Sequence, residues 1–414
     1  MEGVVLNDLQ QRMETHIGRL SEFTATPGNG TTRLTYSKED LQARLYIKEK
    51  MQEYGLQVRE DGIGNIFGRL EGTLTGAPSV LIGSHFDSVP NGGSYDGPAG
   101  VVAGLEVAAL FKENNLTPKY PLEVIALVEE EGARFEGGLM GSRGITGVLN
   151  EEDFKNLTDK DGIKTIEAMA EIGLDSSLPK KRDPKTMKAY LELHIEQGPI
   201  LEGKGIPIGL VKAIVGLVQL EVTVEGKAGH AGTMPMEHRS DALVAAAKMI
   251  ARLPELALNE GEGSVITTGR LNVFPNGSNV IPNKVVFTVD LRSGKEEHIL
   301  SMIENVKELV DSYNDSGIKT SVAHQLYMAP KAMDSDIISL LKEKCSELDV
   351  PYCSLNSGAG HDAMVFSDVT AAAMLFIPSR DGVSHCPEEW SDSKDIATAV
   401  QILFEAAKAL TEAE

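Results

Sequence analysis

The 414-residue sequence contains few cysteines and no long apolar run. Its three cysteines, Cys345, Cys353 and Cys386, include no C-x-x-C pair, which excludes a disulfide framework and leads us to expect reduced thiols. No apolar stretch approaches the ~20 residues that a membrane helix needs. The first twenty residues carry several charges, unlike a secretory signal. We therefore expect a cytoplasmic protein that does not associate with membranes.

Basic residues are also scarce relative to acidic ones. The chain has 39 Lys and Arg against 61 Asp and Glu, a formal net charge of −22. So acidic a surface argues against nucleic acid and anionic membranes as partners. Hydrophobic residues make up 42% of the chain, which predicts a globular protein, and the length suits two domains.

Strand and helix patterns alternate through the first 200 residues. A buried-strand pattern at 79–84 is followed by a helix pattern at 98–115 and a second strand pattern at 122–128. This order is typical of an α/β domain with a mostly parallel sheet and helices on both faces. Because the pattern returns at 371–379, we predict a discontinuous α/β domain formed by residues 1–212 and 329–414.

The intervening residues, 213–328, have a different character. Val218, Leu220 and Val222 alternate with polar residues, a helix pattern follows at about 241–253, and residues 283–293 alternate again. Ser293 and Glu296 have the S-x-x-E spacing of a capping box, which predicts a helix running to about Tyr313. We predict an inserted, smaller α+β domain with the order β–α–β–β–α.

Five residues of metal-binding types stand in or near these strand ends. Side chains that follow parallel strands meet at one edge of the sheet. Three imidazoles and two carboxylates suit Zn²⁺, and also Mn²⁺, Co²⁺ or Ni²⁺. Five ligands exceed one tetrahedral ion, whereas two ions bridged by a carboxylate would use them all. The five candidates are His85, Asp96, Glu131, His194 and His385.

Each candidate also has a purely structural interpretation. Asp96 stands where an N-cap of the helix near Pro98 is expected. The run 129–131 resembles a solvated acidic turn, and lone histidines are commonly surface or core residues. Asp87 is placed to accept the second ring N–H of His85 and fix its tautomer. The residues alone leave these alternatives open.

The inserted region carries a second set of polar candidates. His230 stands between glycines after a strand, where an imidazole can donate to a developing oxyanion. Arg292 lies on the polar face of its strand, and its guanidinium could make bidentate hydrogen bonds to a carboxylate. The structural alternatives are a loop histidine and an ion pair between Arg292 and Asp290. Asn279 lies in a turn-rich connection.

Seven segments, in this order, resemble the M20 family of metallopeptidases and amidohydrolases over essentially the whole chain. Within that family they resemble the branch of N-carbamoyl-L-amino acid hydrolases, allantoate amidohydrolases and β-ureidopropionases. The segments are GSHFDSVPNGGSYDGPAGV, EEEGARF, LHIEQGPILE, GKAGHAGTMPM, NVIPN followed by VDLRS, SGAGHDA, and GVSHCPEE.

The resemblance implies a role for each matching residue. The five candidates match ligands of two divalent ions per subunit, most often Zn²⁺, with Asp96 bridging. Residues 1–212 and 329–414 accordingly match the metal-binding catalytic domain. Glu130 matches the general base. The inserted domain matches a dimerisation and lid domain, which makes a homodimer and brings His230 to the partner's active site. The positions that match substrate-binding residues are Gln197, His230, Asn279, Arg292 and Gly358.

The implied activity is hydrolysis of an N-carbamoyl-L-amino acid, a small ureido substrate with a carboxylate, to the L-amino acid, CO₂ and ammonia. An allantoate amidohydrolase is the alternative within the branch. GHAGTMPM and HIEQGP favour this branch over the peptidases and aminoacylases of the wider family. A non-catalytic metal-binding protein on the same fold should have lost the base or a ligand, and all six are present.

Overall fold

The computed structural model describes residues 2–135, 137–174, 181–261, 263–315 and 317–413. Its described residues divide into two compact units. The first comprises Met1–Lys212, Met333–Leu355 and His361–Glu414, and the second comprises Ala213–Ala332 and Asn356–Gly360. The segment Asn356–Gly360 was expected in the catalytic domain. It groups instead with the second unit, in which the Val215 N–H donates to the Ser357 carbonyl at 2.9 Å.

Twelve α-helices lie in the described residues. They are α1 (Glu2–Ser21), α2 (Lys38–Glu53), α3 (Pro98–Glu113), α4 (Met140–Thr146), α5 (Glu151–Asn156), α6 (Thr165–Glu171), α7 (Ile200–Lys204), α8 (Ala242–Glu260), α9 (Glu296–Asp311), α10 (Ser335–Glu347), α11 (Asp362–Phe366) and α12 (Ser393–Glu412). None of the helices within the described part combines the length and apolarity that crossing a bilayer requires. All three cysteines are described and free.

Sixteen β-strands accompany the helices within the same residues. They are β1 (Gln57–Glu60), β2 (Ile66–Leu70), β3 (Ser79–His85), β4 (Leu122–Leu127), β5 (Met187–Ile195), β6 (Ile208–Ile214), β7 (Gly216–Glu225), β8 (Gly229–His230), β9 (Val265–Thr267), β10 (Leu271–Phe274), β11 (Val280–Ile281), β12 (Lys284–Ser293), β13 (Lys319–Met328), β14 (Lys331–Ala332), β15 (Tyr352–Ser357) and β16 (Ala371–Ile377).

The first unit is built on a sheet whose strands run β1-β2-β4-β3-β5-β16-β6. The four central strands, β4, β3, β5 and β16, pair in parallel. The pairs at the edges are antiparallel. The predicted α/β class with a mostly parallel central sheet is therefore confirmed, and the edge strands add antiparallel pairs.

Helices cover both faces of this sheet, as the alternation along β5 requires. Leu191 and Leu193 belong to the main apolar core, together with residues of α1, α3 and α12. Tyr190 points the opposite way, and its ring packs on Phe366 of α11 with 4.2 Å between centroids. Because successive strand residues face opposite sides, the two contacts place helices on both faces.

The second unit combines an antiparallel sheet with helices α8 and α9. Its strands run β10-β12-β7-β13, with β9 also paired to β12. The apolar positions of β7 and β12 pack against α8 and α9 in one core. The α+β character agrees with the prediction from the sequence. The order of elements differs from the predicted β–α–β–β–α, because the unit also contains the short strands β8 to β11.

Two local predictions for this unit are wrong. Helix α8 continues to Glu260 through Pro254, where the sequence pattern ended the helix at Leu253. The capping box also fails, because Ser293 is the last residue of β12 and its hydroxyl hydrogen-bonds Ser264 at 3.1 Å. The N-cap of α9 is instead Lys295, which makes no side-chain cap.

Candidate metal centre

The four parallel strands deliver ionisable side chains to one edge of the first unit's sheet. His85 is the last residue of β3, and His194 is the penultimate residue of β5. Glu131 follows β4, and His385 follows β16. Asp96 lies between β3 and α3, two residues before the helix begins. Parallel strands end at the same edge, which brings these residues together.

Three of these residues form a buried group. Asp96 Oδ1 lies 3.1 Å from His194 Nε2 and 3.4 Å from His85 Nε2. The two imidazole Nε2 atoms are 3.5 Å apart. One ligand atom from each residue lies within 4.8 Å of the others, a spacing that suits a single metal ion.

A second group shares Asp96 with the first. Asp96 Oδ2 lies 3.2 Å from His385 Nε2, and His385 Nε2 lies 3.4 Å from Glu131 Oε2. These ligand atoms also lie within 4.8 Å of one another. Asp96 thus presents one carboxylate oxygen to each group.

Asp96 does not cap helix α3, so its structural alternative is wrong. The N-cap is Gly97, with no side-chain cap hydrogen bond. Gly97 has φ +80°, and a Cβ built on it would lie 2.4 Å from the His85 ring. Glycine at this position lets the backbone turn sharply between Asp96 and the helix while the imidazole packs against the turn.

The acidic run after β4 is not a solvated turn either. Glu129 is buried with φ +53°, and its carboxylate accepts the backbone N–H groups of Arg134 and Phe135. Asp87 accepts the N–H of Glu130 at 3.1 Å and that of Glu131 at 3.3 Å. Both carboxylates shape the turn that directs Glu130 and Glu131.

Asp87 also approaches His85, with its backbone carbonyl nearer than its carboxylate. His85 Nδ1 lies 3.3 Å from the backbone carbonyl of Asp87 and 3.5 Å from its carboxylate. Nδ1 of His194 faces the Ile195 carbonyl at 3.0 Å. In both imidazoles Nδ1 faces an acceptor, which leaves Nε2 directed to Asp96.

The electrostatics of the centre favour a bound cation. Burial, followed by the charge of Asp96, raises the pKa of Glu131 to about 7, and burial raises the pKa of Glu130 above its usual range. A hydrogen bond to Asp96 raises the pKa of His385 to about 9. Burial lowers the pKa of His194, but the charge of Asp96 outweighs it and the net pKa is raised. Divalent ions would replace these protons.

Two predicted residues adjoin the centre in different ways. Glu130 Oε2 lies 3.9 Å from His85 Nε2. Gln197, with φ +56°, donates from Nε2 to Asp96 Oδ2 at 2.6 Å, and its buried Oε1 has no hydrogen-bond partner. Gln197 therefore contacts the carboxylate that the two groups share.

The other predicted residues lie in the second unit. His230 is exposed, its Nδ1 accepts the Gly232 N–H, and its strand pairs with β11 directly after Asn279. Arg292 donates from Nε to Asp290 at 2.9 Å, so the ion pair considered above is present. A terminal nitrogen of Arg292 donates to the Gly358 carbonyl at 2.9 Å.

Two buried glutamates beside the centre were not singled out from the sequence. Glu192 accepts Ser84 Oγ at 2.8 Å and the Ala363 N–H at 2.9 Å. Glu389 accepts the backbone N–H of Asp96 at 3.1 Å. The available signals were the position of Glu192 two residues before His194, and that of Glu389 four residues after His385.

The chemistry of the donor set fits divalent ions with nitrogen and oxygen ligands. Three imidazoles and two carboxylates converge, burial raises the pKa of Glu131, and the other carboxylate, Asp96, faces both groups. The residues present therefore match the metal-dependent chemistry that the sequence predicts.

Comparison with known proteins decides the family. The model of peptidase family M20/M25/M40 matches residues 81–409. The chain belongs to this family. The predicted family is therefore confirmed, and the candidate metal centre of this M20 chain is consistent with the metallohydrolases that the family comprises.

Relatives narrow the comparison within the M20 family. An N-carbamoyl-L-amino-acid amidohydrolase of Paenarthrobacter aurescens is 42% identical, covering 97% of this chain and 98% of the relative. The allantoate amidohydrolase of Escherichia coli K12 is 36% identical, covering 96% and 97%. A solved putative amidohydrolase/peptidase from Burkholderia cenocepacia has a TM-score of 0.93 at 32% identity, covering 98% and 99%. These relatives match the main function and the alternative predicted from the sequence.

Proposed function

We propose that this M20 chain is a dinuclear metal-dependent amidohydrolase that cleaves the ureido C–N bond of N-carbamoyl-L-amino acids. The observation that carries this proposal is the Asp96 carboxylate, which presents one oxygen to His85 and His194 and the other to His385. The similarity to an N-carbamoyl-L-amino-acid amidohydrolase along both full chains supports the substrate class.

Two divalent ions per subunit would be held by the two groups that share Asp96. His85 and His194 complete one group, and Glu131 and His385 complete the other. Zn²⁺ suits these ligands, and Mn²⁺, Co²⁺ and Ni²⁺ are compatible with them. When bound, such ions supply Lewis-acid activation of water and of the ureido carbonyl.

Glu130 is the proposed general base. Its raised pKa, caused first by burial, suits a group that both takes and returns a proton near neutral pH. Glu130 removes a proton from the water that attacks the ureido carbon, and it then delivers the proton to the nitrogen that leaves. Cleavage releases the L-amino acid, and the remaining carbamate breaks down to CO₂ and ammonia.

Residues of the second unit are proposed to hold the substrate. His230 would donate to the oxyanion that develops on the ureido oxygen. Arg292, oriented by Asp290 and the Gly358 carbonyl, would hold the substrate carboxylate with its remaining donors. Asn279 of the second unit and Gln197 of the first would position the ureido group.

The inserted unit is also proposed to form a homodimer in which His230 serves the partner's metal centre. A mixed dimer tests this directly. Glu130→Gln and His230→Ala subunits are each expected to be inactive, whereas a verified heterodimer should regain part of the activity in one of its two sites. Heterodimers without any activity would show that His230 acts within its own subunit.

A cytoplasmic location is proposed from the three free cysteines. Cell fractionation of the source organism with an antibody to the chain tests this location. Recovery of the protein outside the cytoplasmic fraction would contradict it.

An allantoate amidohydrolase is the second candidate function. The Escherichia coli relative of that name covers nearly the same length, at 36% identity. Allantoate also presents a ureido group and a carboxylate, so Arg292 and Asn279 could serve either substrate. Comparison of kcat/KM for allantoate and for N-carbamoyl-L-amino acids separates the two functions.

A further inference from the structure

We propose that Glu389 is a positioning residue for the second metal group, the one formed by Asp96, Glu131 and His385. The inference rests on the proposed dinuclear function and assigns a residue that holds the shared carboxylate in place. Glu389 is 4% exposed and lies four residues after His385. Glu389 is not one of the five candidate metal ligands.

The Glu389 carboxylate holds the main chain of the bridging residue. Oε1 accepts the backbone N–H of Tyr95 at 2.9 Å and that of Asp96 at 3.1 Å. Charge-assisted hydrogen bonds to two successive N–H groups orient a backbone segment more strongly than neutral ones. The position of the Asp96 side chain therefore depends on the acceptor that Glu389 supplies.

The other Glu389 oxygen reaches the opposite side of the same group. Oε2 accepts Ser384 Oγ at 2.7 Å, and Ser384 is the chain neighbour of His385. Ser384 Oγ also lies 2.9 Å from Asp96 Oδ2. Since a hydroxyl has one proton, Ser384 donates to one carboxylate at a time, and it joins Glu389 and Asp96 across the loop.

Glycine makes room for this carboxylate. A Cβ built on Gly93 would lie 1.9 Å from Glu389 Oε1, so any other residue would displace the Glu389 side chain. Nearby, the ring of Tyr95 packs edge-on against Trp390, with centroids 5.4 Å apart. Ser384 and Trp390, which lie on either side of Glu389 in the chain, thus connect the segment that contains Tyr95 and Asp96 to the segment that contains His385.

The two metal groups depend on Glu389 to different extents. His85 and His194 stand on strands β3 and β5, and their Nδ1 atoms face carbonyls of Asp87 and Ile195 that Glu389 does not touch. His385 stands on a loop with φ +58° and reaches Asp96 Oδ2, the oxygen that Ser384 also contacts. Both groups include Asp96, but only the second also depends on the loop that carries Ser384 and His385. Loss of Glu389 should therefore weaken the second group more than the first.

The test compares Glu389→Ala with Glu388→Ala, because Glu388 is the exposed neighbour in the same loop. Each full-length protein is stripped with chelator, titrated with Mn²⁺ and assayed for bound metal by mass spectrometry. We expect two tight ions in the wild type and in Glu388→Ala. Glu389→Ala should keep one tight ion and bind the second at least tenfold more weakly, with kcat reduced more than KM is raised.

Two further variants keep the test decisive if Glu389→Ala folds poorly. Glu389→Gln keeps one oxygen for the two N–H groups, and its amide can donate to Ser384, so it should retain the second ion. The side chain in Glu389→Asp is shorter by one methylene, so it cannot reach both the N–H groups of Tyr95 and Asp96 and the hydroxyl of Ser384. We therefore expect this variant to lose the second ion.

The proposal is overturned if Glu389→Ala and Glu389→Asp bind both ions as the wild type does, or lose both ions equally. It is also overturned, together with the dinuclear function, if the wild type binds one ion only. A wild type that binds two ions but hydrolyses no ureido substrate would contradict the proposed function alone, because the metal titration does not involve substrate.

Discussion

Glu130 Oε2 lies 3.9 Å from Nε2 of His85, while the backbone N–H of Glu130 donates to the Asp87 carboxylate. The turn after β4 thus directs the Glu130 carboxylate toward the group formed by His85, Asp96 and His194. Glu130 is nevertheless not one of the five candidate ligands. This arrangement distinguishes Glu130 from the adjacent Glu131, which faces His385.

Replacement of Glu130 by glutamine should separate metal binding from catalysis. The amide keeps the size of the side chain but cannot accept a proton, so we expect two bound ions and turnover reduced by a factor of roughly 10²–10⁴. Metal content by mass spectrometry and the rate of ammonia release measure the two effects. Near-normal turnover would refute the assigned base.

Replacement of His385 by alanine should remove one ligand of the second group. We expect the bound metal to fall from two ions to about one per subunit, with a loss of turnover. His324→Ala is the matched control, because His324 is exposed on β13 of the second unit. Unchanged metal stoichiometry in His385→Ala would remove His385 from the ligand set.

Replacement of Gly97 by alanine should disturb His85 through a steric contact. The added Cβ would lie 2.4 Å from the imidazole, in a backbone conformation with φ +80°. Gly28→Ala separates strain from contact, because Gly28 has φ +81° and no heavy atom within 4 Å of the added Cβ. We expect both variants to lose stability but only Gly97→Ala to bind metal weakly. Equal metal affinity in both would show that His85 does not depend on this glycine.

Acid stability should depend on a carboxylate far from the metal groups. Glu123 is buried and salt-bridged to Arg69 at 2.7 Å and to Arg182 at 2.9 Å. Burial raises the pKa of Glu123, but hydrogen bonds and charge from Arg182 and Arg59 outweigh it and lower the pKa to about 2. A lowered folded-state pKa stabilises the protein above the unfolded-state pKa near 4.5, and the stability is lost as pH falls toward 2.

Glu123→Gln should therefore lower the free energy of unfolding at pH 7 by about 3 kcal/mol. Its difference from the wild type should shrink between pH 4.5 and 2. Denaturant unfolding at several pH values measures this, with the half-exposed Glu113→Gln as a control. A pH-independent difference would show that lost packing, rather than charge, explains the effect.

Local hydrophobic patterns in the sequence predicted much of the fold. Alternation along β5 and β7 and the buried runs of β3 and β4 reflect the burial of strand faces, which local sequence records. The same topology explains why five distant ligand candidates could be named: parallel strands end at one edge. His85 and His385 are far apart in sequence, yet both reach Asp96.

Features that depend on tertiary contacts escaped prediction. Asp96 resembles an N-cap, but the positive φ of Gly97 turns its side chain toward the histidines. Ser293 resembles a capping residue, but the ladder of β12 extends through it. Glu389 lies four residues after His385, but its partners Tyr95 and Asp96 lie almost 300 residues earlier in the chain, so the local sequence does not show its role.

The most direct test of the proposed function is a substrate panel with metal-loaded and chelator-treated enzyme. Initial rates of ammonia or amino acid release would be compared for N-carbamoyl-L-amino acids, allantoate, β-ureidopropionate and dipeptides. We expect the highest kcat/KM with an N-carbamoyl-L-amino acid, loss of that activity on chelation, and recovery with Zn²⁺ or Mn²⁺. Preferred turnover of dipeptides, or full ureido hydrolysis by the chelated enzyme, would contradict it.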